Sequence, residues 1–100
     1  MAQTITSLKR QSLFYQFDTL GHMLRSGLAD REILYRTTGI GASWTWAKFE
    51  SVHMENRRRY AGKDVFTDFE YLASEMLKMK QQRDSLYKIP VTFAKHTQDR

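Results

Sequence analysis

A chain of 100 residues, 41% of them hydrophobic and 13% aromatic, has the size and apolar material of one ordinary folded domain. It has no cysteine, which excludes disulfides, thiolate nucleophiles and zinc sites of the cysteine type. The net charge is +5, of which residues 1–77 carry +1 and residues 78–100 carry +4, so the basic character belongs to one end and is a weak nucleic-acid signature. No apolar run approaches the ~20 residues of a membrane span and no secretory segment opens the chain, so the expectation is a cytoplasmic chain that does not insert into membranes.

The first helix is expected from about Thr6 or Ser7 to Ser26. Leu13, Phe17, Leu20 and Leu24 recur at helical steps and share one face. Gly27 suits the left-handed position beyond a helix end. Gly21, inside the run, costs about 1 kcal/mol relative to alanine, and a close helix contact would explain it. A short second helix follows over 30–38, capped by Asp30 and burying Ile33, Leu34 and Tyr35.

Ser43 is the natural cap of the third helix, which reaches about Tyr60. Trp46, Phe49, Val52, His53, Asn56 and Tyr60 fall on one side of it. The fourth helix, near 65–84, has the clearest period, through Val65, Phe69, Leu72, Met76, Met79 and Arg83. Asp64 can cap it, or Thr67 with Glu70 can form a capping box. Residues 86–100 read as an irregular basic tail broken at Pro90. No segment alternates as a strand should. The fold expected is all-α, a small bundle of three long helices and one short one over residues 1–85.

His53 is the histidine most worth testing. It lies on the apolar face of the third helix, and its ordinary reading is a core-edge residue hydrogen-bonded to Asn56 or a carboxylate. Asp64, Asp68, Glu70 and Glu75 could work in pairs, but acids in a first helical turn are what the helix dipole favours anyway. No acid–base–nucleophile set, metal-ligand spacing or cofactor motif emerges, so no catalytic, cofactor or metal residue is assigned. Gly39 to Ser43 leads into a helix and could hold an anion, but no strand precedes it and no lysine follows.

Two surfaces remain. Thr38-Gly39-Ile40 resembles the turn of many helix-turn-helix repressors, which places Ala42, Ser43, Trp44 and Lys48 at the recognition positions. Phosphate contacts would come from Lys48, Arg58 and Arg59. On the first helix, Leu8, Tyr15 and His22 form a second stripe opposite the leucine face, flanked by Ile5 and Met23. Either the tail covers it, through Ile89 and Phe93, or another molecule does.

Trp46-x-x-Phe49-Glu50, Arg57-Arg58-Arg59-Tyr60 and Phe66-x-x-Phe69-Glu70-Tyr71-Leu72-Ala73 give residues 44–84 a resemblance to the helical part of uncharacterised prokaryotic proteins that often begin with a membrane anchor. The resemblance implies a helical, non-enzymatic chain and carries no residue roles. The function expected is a non-catalytic protein-interaction module that self-associates as a homodimer through Leu8, Tyr15 and His22. The alternative is a small helix-turn-helix-like DNA-binding protein.

Overall fold

The chain forms four helices: α1 Ala2–Arg25, α2 Arg31–Thr38, α3 Gly41–Arg59 and α4 Thr67–Arg83. The structure, a computed structural model, describes residues 2–60, 62 and 64–90, with side chains from residue 8 onward, and contains no strand among them. This is the all-α bundle expected, with three long helices and one short. Residues 84–90 continue without a helix, and Phe93 lies outside the described residues.

Local chemistry explains most of the boundaries. After α1, Gly27 turns left-handed at φ 79°. Its N–H donates to the Leu24 carbonyl at 3.1 Å and the Leu28 N–H to the Met23 carbonyl at 2.8 Å. Those paired bonds close the last turn, in a conformation that a side chain would strain. The Asp30 carboxylate accepts the Ile33 N–H at 2.9 Å and starts α2 as expected. Leu34 is buried, but Ile33 is exposed, because a helix this short at the bundle edge buries only a narrow stripe.

Two expected caps are replaced by contacts between helices. Ile40 occupies the cap position of α3 without a side-chain bond, and Ser43 lies inside the helix. The buried Ser43 hydroxyl instead donates to the Ala73 carbonyl of α4 at 2.6 Å. Small residues at 42, 43 and 73 let the two helices come this close. At α4, Phe66 precedes the helix in the left-handed region at φ 56°, so neither Asp64 nor a Thr67–Glu70 box caps it. The acceptor comes from α1, whose Asp18 carboxylate takes the Phe69 N–H at 2.9 Å. Phe69 is the third helical residue, and its N–H is one that a capping side chain ordinarily satisfies.

α1 and α3 both pack along α4, which is the centre of the bundle. Phe69, Leu72 and Met76 are fully buried, joined by Phe14 and Leu24 of α1, Leu34 of α2 and Trp46 of α3. Of the stripe expected on α1, Leu24 is buried and Phe17 and Leu20 pack against the core, but Leu13 is 39% exposed, and Phe14 and Gly21 are buried. Gly21 is the reason. A β-carbon there would stand 1.8 Å from the Asp68 carbonyl oxygen, so only glycine lets α1 meet the start of α4 this closely. Val52 and Tyr60 of the expected α3 face are likewise exposed.

Candidate ligand cleft at His53

α3 delivers His53 into a nest of rings. Its imidazole stacks on Trp46 with centroids 4.8 Å apart and planes at 16°. Phe14, Phe66 and Phe69 meet it edge-on at 4.8, 5.3 and 5.6 Å. The residue is 1% exposed, and neither ring nitrogen has a hydrogen-bond partner among the described residues. The expected bond to Asn56 or a carboxylate is not made, because four aromatic neighbours occupy the space around the ring.

Burial, helped by the nearby Arg57 guanidinium, pulls the His53 pKa down to about 4. The ring is therefore neutral at pH 7, with one donor and one acceptor. Leaving such a group unpaired costs about 1–3 kcal/mol, a sacrifice that a phenylalanine at the same place would not make.

His53 is at the floor of a cleft of about 570 Å³ between α1, α3 and the turn before α4. That volume lies within the ~300–1,000 Å³ typical of small-molecule sites. Phe14, Phe49, Val52, Val65 and Phe66 supply its apolar wall, with Arg10, Asp18, Asn56 and Asp64 around it. Two of the charged groups are already engaged. Asp18 caps α4, and the Arg10 guanidinium lies over the Phe49 ring, 5.2 Å from its centroid. Phe66 holds its left-handed backbone because its ring is buried in this wall, so local strain and the cleft coincide.

The residues singled out from sequence do not gather here as a set. Leu8 and Tyr15 stand 64% and 62% exposed on the outward side of α1. Tyr15 also reaches the cleft, its ring 5.2 Å from that of Phe66. His22 turns towards α4, with Nδ1 3.2 Å from an Asp68 carboxylate oxygen, and Arg25 donates to the other oxygen at 2.7 Å. Arg58 and Arg59 both bind Glu55, at 2.5 and 2.8 Å, and hold its carboxyl down to about 2. Lys48 lies over the Phe49 ring, 5.6 Å from its centroid. Ala42 and Ser43, two of the recognition positions of the helix-turn-helix reading, are buried and so are not presented to a groove.

The chain matches no protein-family model, no curated protein and no solved structure. Among the described residues, no three of His, Asp and Glu converge on a point that could hold a metal ion. Among them too, no helix is long and apolar enough to cross a membrane.

Sequence reading singled out His53 but passed over Phe14, Asp18 and Phe66. For Phe14 a signal existed, since Phe14, Phe17, Gly21 and Leu24 also follow helical steps. Asp18 gave none. Its partner is 51 residues away.

Proposed function

We infer that this chain is a non-catalytic binding module whose site is the cleft above His53. The observation that carries the reading is the buried imidazole with both nitrogens unpartnered at the floor of an open aromatic cleft. Buried polar groups are nearly always satisfied, so an exception at a cleft floor points to an external partner. A catalytic role has less support. A general base works best with a pKa near the operating pH and a group that orients it, whereas His53 is held near 4 and is bonded to none of the described residues.

Titration with toluene, followed by amide shifts in two-dimensional NMR, tests the site. Saturable shifts should centre on Phe14, Val52, His53 and Phe66. Val52→Trp, which fills the mouth from an exposed position, should abolish them. Shifts that are absent, or equal in the two proteins, would reject the cleft as a site.

A second reading is self-association through the outward face of α1, supported by the exposure of Leu8 and Tyr15 opposite the side that packs on α4. A two-fold dimer would lay this face against its own copy. Sedimentation equilibrium should then show a wild-type dimer at micromolar concentration and a folded, monomeric Leu8→Glu. A wild type that stays monomeric at high micromolar concentration rules this reading out.

A further inference from the structure

We propose that the His53 cleft is specific for a small uncharged molecule with a flat apolar body and one hydroxyl, the hydroxyl exchanging hydrogen bonds with the imidazole. The inference rests on the binding-module reading and adds the chemistry of the occupant. Three features of the cleft select it.

The wall is built of ring faces and edges. Phe14 lies edge-on to Phe49 and to Phe66, with centroids 5.3 and 5.8 Å apart, an arrangement that takes a further ring at favourable geometry. A flat body therefore fits better than a branched one.

At the floor, the imidazole of His53 is a polar group that no described residue uses. His53 presents a ring N–H and a bare ring nitrogen, both without partners among the described residues. A hydroxyl both donates and accepts, so it can pair with either nitrogen. Both nitrogens are buried among Phe14, Trp46, Phe66 and Phe69, so the hydroxyl reaches them as these rings shift aside.

The charges around the cleft favour a neutral guest. The Asp18 carboxylate is committed to the Phe69 N–H and the Arg10 guanidinium rests on the Phe49 ring. The Arg57 guanidinium near His53 is already paired with Glu70 at 3.0 Å, so a charged group carried down to the aromatic floor would lose its water without gaining a free counter-ion there.

Three probes with one body separate the possibilities: toluene, 4-methylphenol and 4-methylbenzoate. A purely apolar cleft would rank toluene first, because burying a hydroxyl without a partner costs free energy. With His53 as partner the order inverts, and 4-methylphenol should bind about 3- to 10-fold more tightly than toluene. The imidazole nitrogen resonances of His53 should move on adding 4-methylphenol and stay in place with toluene. In His53→Phe the preference should revert to toluene.

If toluene binds at least as well as 4-methylphenol to the wild type, the cleft is a site but the proposed chemistry is wrong. Tightest binding by 4-methylbenzoate would likewise overturn the proposal, in favour of an anion drawn to Arg10. Failure of all three probes to bind removes both the proposal and the binding-module reading beneath it.

Discussion

Gly21→Ala should destabilise the protein by roughly 2–3 kcal/mol, even though alanine is the better helix former by about 1 kcal/mol. The added β-carbon would meet the Asp68 carbonyl oxygen at 1.8 Å, and the Asp68 carbonyl carbon at 2.6 Å. Both are backbone atoms, so no side chain can swing away and the helices themselves must part. Their separation would pull Asp18 from the Phe69 N–H and loosen the pairing of Asp68 with His22 and Arg25. Loss of a capping bond alone costs about 0.5–2 kcal/mol, and an overpacked contact about 1–3. The melting temperature should fall by roughly 10–20 °C. Gly41→Ala is the control. A β-carbon there meets nothing within 4 Å, so helix propensity alone acts and the protein should be unchanged or slightly more stable. Equal melting temperatures for the two variants would show that α1 and α4 are not in this contact.

That contact also marks the limit of what the sequence displays. Periodicity read α4 well, because Phe69, Leu72, Met76 and Met79 are large, apolar and buried without exception. In α1 the same periodicity places Phe17, Leu20 and Leu24 on the core side but takes Leu13 in place of Phe14. The close contact that Gly21 suggests is made, though its partner is not legible. A glycine adds nothing to a hydrophobic stripe, yet here it fixes which side of the helix faces the core. Caps were legible where they are local, as at Asp30, and illegible where the acceptor arrives from another helix, as Asp18 does for α4. Ser43 misled for the opposite reason: a residue type suited to capping serves a bond between helices. At the candidate site the position of His53 on an apolar face was readable. Its lack of partners was not, because that depends on four rings that three different segments bring around it.

Acidification should expose His53 directly. An unfolded histidine titrates near 6.5, while in the fold burial and the Arg57 charge hold His53 near 4. Between those values the unfolded chain binds more protons than the folded one, so stability falls as the pH falls. The contribution is intact above about pH 6.5 and is progressively lost on the way down to about pH 4, amounting to roughly 2–3 kcal/mol at most. Asp18 and Asp64 line the same cleft, but neither carboxylate bonds the ring to oppose the trend. The lowered carboxyls of Glu32 and Glu55 act in a more acidic window, below their ordinary value of 4.5. His53→Phe isolates the effect. It keeps a ring in the aromatic nest, removes both unpaired nitrogens, and should gain about 1–2 kcal/mol at neutral pH. Urea midpoints of the two proteins should therefore stand apart at about pH 7 and diverge further by about pH 4.5, with the variant losing much less. Because every other titrating group is common to both, the difference between the curves belongs to position 53. Parallel curves would mean that the imidazole is not held neutral by burial. A variant less stable than the wild type at neutral pH would mean that the His53 nitrogens are satisfied within the fold, and that the cleft floor has no free polar group to offer a ligand.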